Sequence, residues 1–189
     1  MKVLIVEDNK DKRNNIKNFL TKRIEGITFG EAKSYSSGIS EIYDNKWDLI
    51  ILDMSLPTYD ISHTETGGEK KPVAGKEILR RMKNRKINTP TIIVTHFDVF
   101  GERQISLNYL NKEIEENYGH IWIGTVSYDK STWQIELDKL INDFILQEDI
   151  YLMAETKKKG RLFDLPETKG SFQLKGVVSG VEKENFYKE

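Results

Sequence analysis

The sequence predicts a doubly wound α/β domain: a five-stranded parallel sheet with helices on both faces, followed by a C-terminal extension. Two observations predict it. Short apolar runs alternate with segments whose apolar residues fall at helical spacing, in the order strand–helix throughout residues 1–148. Two of the apolar runs, Val3–Val6 and Leu49–Leu52, are uninterrupted by polar residues. Strands buried on both faces of a parallel sheet read in this way.

Val3–Val6 is the first strand. Asp11–Ile24 follows as a helix, with Ile16, Phe19, Leu20 and Ile24 at helical spacing and Lys and Arg between them. Ile27–Ala32 is a weaker second strand. Ser36 or Ser37 caps a helix carrying Ile39, Ile42 and Tyr43. Leu49–Leu52 is the central strand, and Pro57 closes the stretch after it. Tyr59–Val73 is polar, Gly-containing and aperiodic, and is expected to be a mobile loop with His63 solvated. Gly75–Arg85 is a basic helix with Ile78, Leu79 and Met82 inward, and Thr91–Thr95 is the fourth strand, ending in a hydroxyl. Gln104–Tyr118 is a helix burying Ile105, Leu107, Leu110 and Ile114, and Ile121–Val126 is the fifth strand. Ser131–Gln147 closes the domain as a long amphipathic helix striped with Trp133, Leu137, Leu140, Ile141 and Phe144.

The chain has 189 residues, enough for one domain of residues 1–148 and an extension of residues 149–189. The extension holds the basic run Lys157–Arg161 and weak alternation around Gly176, which suits either a two-stranded ribbon or a tail that docks on a partner. A net charge of −1 gives no electrostatic reason to expect nucleic acid. The absence of cysteine excludes disulfides and thiol chemistry and is compatible with a cytoplasmic protein. The first apolar run is too short for a signal peptide, and no stretch approaches the roughly 20 apolar residues of a membrane span.

The chemistry is expected at the carboxyl ends of the strands, where open α/β sheets bind their ligands. The first strand stops at Glu7-Asp8-Asn9 and the third at Asp53. If these strands are neighbours, Glu7, Asp8 and Asp53 converge. Two carboxylates about 4 Å apart repel by roughly 4 kcal/mol at an effective dielectric near 20, and a divalent cation relieves that repulsion. Hard carboxylate oxygens suit Mg²⁺. The competing reading is that Asp8 or Asn9 caps the following helix.

Leu4-Ile5-Val6-Glu7-Asp8-Asn9, Leu49-Ile50-Ile51-Leu52-Asp53-Met54-Ser55-Leu56-Pro57, Gly75 before its helix and Ile92-Ile93-Val94-Thr95 together resemble a response-regulator receiver domain, the phosphoacceptor module of two-component signalling. The resemblance covers Lys2 to about Gln147 and implies a flavodoxin-like, CheY-like fold. It implies that Asp53 accepts a phosphoryl group from a histidine kinase or phosphotransfer protein. Glu7, Asp8, Asp53 and the Ser55 carbonyl would hold Mg²⁺, and Thr95 would contact the phosphoryl group and move on activation. The expected function is that of a stand-alone signalling protein acting through protein contacts, and not that of an enzyme. The alternative is a pseudo-receiver, a binding module not switched by phosphorylation. An Asp-nucleophile phosphatase would want a carboxylate at position 55, which is serine.

The sequence departs from the family at the end of the fifth strand. Receivers place a lysine there, and here Ile123-Gly124-Thr125-Val126-Ser127-Tyr128 contains none. Val126 or Ser127 takes the position, and Lys130 would have to reach back. Trp122 and Tyr128 are the candidates for the aromatic switch residue.

Overall fold

The computed structural model describes residues 1–61, 66–96, 99–100 and 105–158. Five strands, β1 (Lys2–Val6), β2 (Thr28–Ala32), β3 (Leu49–Leu52), β4 (Thr91–Thr95) and β5 (Trp122–Ser127), form one parallel sheet in the spatial order β2-β1-β3-β4-β5. The helices are α1 (Lys10–Arg23), α2 (Tyr35–Asp44), α3 (Ala74–Asn84), α4 (Leu107–Tyr118) and α5 (Trp133–Lys158).

Alternation along the buried strands divides the core in two. Leu4, Val6, Ile50, Leu52 and Ile93 face α2, α3 and α4, against Ile42, Ile78, Leu79, Met82, Leu110 and Ile114. Val3, Ile5, Leu49, Ile51, Ile92 and Val94 face α1 and α5, against Ile16, Leu20, Leu137, Ile141 and Ile145. The strands therefore read as continuous apolar runs because each side chain, whichever way it points, meets a helix.

Four details differ from the sequence expectation. The cap of α2 is Ser34, whose hydroxyl accepts from the Ser37 backbone N–H in a reciprocal capping box, and not Ser36 or Ser37. The ends of the expected loop Tyr59–Val73 are structured: Lys70–Lys71 pairs antiparallel with Leu56–Pro57, just before the loop, and the Tyr59 backbone N–H donates to the Gly67 carbonyl at 2.9 Å. Residues 62–65 of that loop, with His63, lie outside the described residues. Ile105 belongs to a short ribbon, Val99–Phe100 paired with Ile105–Ser106, so α4 starts at Leu107 on the cap of Ser106, and not at Gln104. The last helix runs beyond Gln147 to Lys158. The expected ribbon around Gly176 and the basic run beyond Lys158 lie outside the described residues.

Candidate functional site at the carboxyl edge of the sheet

The register of the two central strands assembles the site. Val6 of β1 stands opposite Leu52 of β3, so the next residues, Glu7 and Asp53, leave the sheet at the same level. The Asp53 backbone N–H donates to the Val6 carbonyl at 2.9 Å, holding that level across the strand ends. Glu7, Asp8 and Asp53 each offer a carboxylate oxygen, and these oxygens lie within 4.8 Å of one another.

Helix α1 decides which acid is free. Its cap is Asn9, whose side chain accepts from the backbone N–H groups of Asp11 and Lys12. The Glu7 carboxylate accepts from the Asn9 backbone N–H at 2.9 Å. Asp8 is thus spared from capping, and no hydrogen bond or ion pair of its carboxylate is found among the described residues. Arg13, also buried, donates to the Glu7 carbonyl at 2.7 Å and pairs with Glu31 of β2 at 2.8 Å, which pins the turn between β1 and α1.

A buried ammonium occupies the middle of the site. Lys12 Nζ lies 2.6 Å from Glu7 Oε2 and 2.8 Å from Asp53 Oδ1, and donates to the Val94 carbonyl at 2.7 Å. The whole residue is 1% exposed. Sequence reasoning missed it. At the level of sequence Lys12 counts only among the Lys and Arg between the apolar positions of the first helix, and Lys130 is the lysine that would have to reach the site. Lys130 is exposed, in the turn after β5. The signal that could have found Lys12 is its spacing. Lys12, Ile16, Leu20 and Ile24 are four residues apart and all buried, so the lysine extends the apolar stripe toward the strand ends.

Burial and the Asp53 charge push the Glu7 carboxyl up to about 7, against the opposing pull of Lys12. Burial disfavours the charge on Lys12, but Asp53 and Glu7 outweigh it and hold its pKa above the ordinary value. With Glu7 ionised, three carboxylates against one ammonium leave a formal excess of two negative charges. A hard divalent cation would neutralise it, and the Asp8 carboxylate is available for one. The donor set therefore fits Mg²⁺.

The other expected site residues gather at the same edge. Thr95 ends β4, fully buried, level with Ser127 at the end of β5. Ser127, one of the two residues expected at the place of the family lysine, carries a hydroxyl there. Ser55 is buried, and its backbone N–H donates to Asp53 Oδ2 at 3.2 Å. Of the two aromatic candidates, Tyr128 lies at the site, with Lys12 Nζ 5.6 Å from its ring centroid. Trp122 stands opposite Thr91, at the far end of the sheet. Gly75, at the start of α3, lets that helix approach closely. A Cβ there would come within 2.8 Å of the Asp53 carbonyl.

A family model described as the response regulator receiver domain matches residues 3–117. The chain belongs to the response regulator receiver domain family. Among curated relatives, the Detocs response regulatory protein DtcB of Enterobacter cloacae is 32% identical over 150 residues, covering 76% of this chain and 99% of DtcB. The uncharacterized protein y4jR of Sinorhizobium fredii is 35% identical over 136 residues, covering 69% of this chain and 89% of y4jR. Among solved structures, a response regulator receiver domain protein from Clostridium thermocellum superimposes with a TM-score of 0.54 at 22% identity, covering 79% of this chain and 98% of that one. The receiver domain of the Francisella response regulator 1452 gives 0.51 at 22%, covering 75% and 93%. These structures share the fold. Receiver domains are phosphoacceptor signalling modules that are generally not enzymes and that typically use Mg²⁺ at an acidic pocket. Among the described residues, no helix is long and apolar enough to cross a membrane.

Proposed function

We propose that this receiver takes a phosphoryl group onto Asp53 from the phosphohistidine of a histidine kinase or phosphotransfer protein, with Mg²⁺ held by Glu7, Asp8, Asp53 and the Ser55 carbonyl, and acts through protein contacts. The observation that carries this reading is the convergence of Asp53 with Glu7 and Asp8 at the level ends of β1 and β3. The Asp53 carboxylate oxygen forms the new bond to phosphorus while the bond from phosphorus to the donor imidazole nitrogen breaks; that nitrogen keeps the bonding electron pair, and the ring, protonated on its other nitrogen, leaves as neutral imidazole. Asp53 approaches from a fixed direction because its backbone N–H and its carboxylate are both tied, to Val6 and to Ser55 and Lys12. The bound cation supplies neutralisation of the charge that spreads over the phosphoryl oxygens. The Thr95 hydroxyl, at the neighbouring strand end, hydrogen-bonds the phosphoryl group in the product and loses that contact on hydrolysis. A contact made in one state alone is what a two-state switch needs.

The pseudo-receiver alternative drew its support from the missing strand lysine. The Lys12 ammonium paired to Asp53 favours the phosphoacceptor reading over it. The test is intact-mass measurement after incubation with acetyl phosphate and Mg²⁺. Wild type should gain one phosphoryl group and Asp53→Asn should gain none. Equal gain in both, or none in either, would overturn the assignment.

A further inference from the structure

We propose that Lys12 is the cation that contacts the phosphoryl group on Asp53, and that α1, not a cation at the end of β5, is therefore where this receiver first senses its phosphorylation state. The inference rests on Asp53 as the phosphoacceptor.

Three observations carry it. First, among the described residues the ammonium ion-paired to Asp53 is that of Lys12. Ser127, at the end of β5, offers a hydroxyl and no charge. Second, an ammonium has three protons, and Lys12 has three acceptors: Glu7 after β1, Asp53 after β3 and the Val94 carbonyl in β4, at 2.6, 2.8 and 2.7 Å. Its capacity is full. Phosphorylation replaces the single charge of the Asp53 carboxylate with the nearly doubled charge of a phosphoryl group and adds strong acceptor oxygens. To meet them the ammonium must give up one of its present partners: the Asp53 oxygen itself, in which case its head follows the new charge outward, or one of the other two. If that partner is Val94, the end of β4 next to Thr95 is released. If it is Glu7, the turn into α1 is.

Third, Lys12 is joined to a layer of side chains that leads away from the pocket. Its Nζ lies over the Tyr128 ring. One helical turn on, Asn15 Nδ2 donates to the Tyr128 hydroxyl at 2.8 Å. The Tyr128 ring lies 5.0 Å from that of Trp133, and Phe19 of α1 meets Trp133 edge-on at 5.7 Å. Trp133 opens α5. A displacement of the Lys12 head is thus felt in α1 and at the start of α5.

The test uses the full chain, acetyl phosphate and Mg²⁺, with phosphorylation followed by intact mass and side-chain resonances by NMR. In wild type, the Lys12 ammonium and Trp133 indole signals should move in proportion to the phosphorylated fraction. In Asp53→Asn they should stay in place. Lys12→Met should take up phosphoryl roughly tenfold more slowly or worse, as when a preorganised charge donor is removed, and should lose the Trp133 response. Lys12→Met/Ser127→Lys should recover uptake, because the charge returns from β5, while the Trp133 response stays absent. The inference is overturned if the wild-type Lys12 signal is unmoved in protein that mass shows to be phosphorylated, or if Lys12→Met keeps both rate and response. The wild-type resonance needs no variant, so poor folding of Lys12→Met would not shield the proposal. A wild type that is not phosphorylated would instead defeat the Asp53 reading on which the inference rests.

Discussion

Replacing Lys12 by methionine keeps the length and apolar stem of the side chain and removes its charge. The ammonium, itself buried, lies 2.6 Å from Glu7 and 2.8 Å from Asp53. At an effective dielectric near 20, each contact is worth roughly 6 kcal/mol of gross attraction. Desolvation of the charges cancels much of this, and removing one member of a buried ion pair costs about 3–5 kcal/mol net. Glu7 softens the loss because its carboxyl, already pushed up to about 7, takes up a proton readily once the lysine is gone. The expected destabilisation in metal-free buffer at neutral pH is therefore about 3 kcal/mol, or roughly 6–12 °C in melting temperature for a domain of this size. Thermal unfolding in EDTA measures it. Adding Asp53→Asn to Lys12→Met should recover part of the loss, since the two residues are in contact and their effects do not add. A Lys12→Met variant within about 0.5 kcal/mol of wild type would behave as a surface substitution and refute the buried placement.

Asp8→Ala should abolish the rise in melting temperature that Mg²⁺ produces while leaving the metal-free fold intact, because Asp8 neither caps α1 nor pairs with a described side chain; an unchanged Mg²⁺ response would remove Asp8 from the metal site. Gly75→Ala should lose about 1–3 kcal/mol in urea unfolding, since its Cβ would press on the Asp53 carbonyl at 2.8 Å and on Met54 Cα at 3.1 Å, both backbone atoms that cannot turn aside. The Lys17 hydrogen bond, followed by the one from Arg13, holds the Glu31 carboxyl below its ordinary value of 4.5. Its stabilising contribution is present above that value and is lost as pH falls through the lower folded value. The stability difference between wild type and Glu31→Gln should accordingly be constant near neutrality and shrink below about pH 4.5; a difference unchanged down to pH 3 would contradict the ion-pair account.

What was legible in the sequence was what depends on local pattern. Leu49–Leu52 and Thr91–Thr95 are strands at the expected bounds because runs of apolar, mostly β-branched residues between helices have few other uses. The acidic convergence followed once β1 and β3 were assumed adjacent, since both runs end in carboxylates. Lys12 was not legible in the same way. A lysine flanked by Lys10, Asp11 and Arg13 reads as solvated, and its burial depends on partners far off in the chain, at Asp53 and Val94. The same limit explains Ile105. Its apolar side chain fits a helical stripe, but pairing with Phe100 places it in a ribbon. Ser34, Ser36 and Ser37 are chemically alike as caps, and the choice of Ser34 shows up in backbone geometry.

The central claim is that Asp53 carries the phosphoryl group. An acyl phosphate on aspartate is reduced by borohydride to homoserine, so the acceptor can be located by peptide mapping. After incubation with acetyl phosphate and Mg²⁺ and then borohydride, homoserine should appear at position 53, in the peptide containing Leu52 and Met54. Reduction at Asp8 or any other acid, or a phosphorylated protein with no reduced aspartate, would contradict the account.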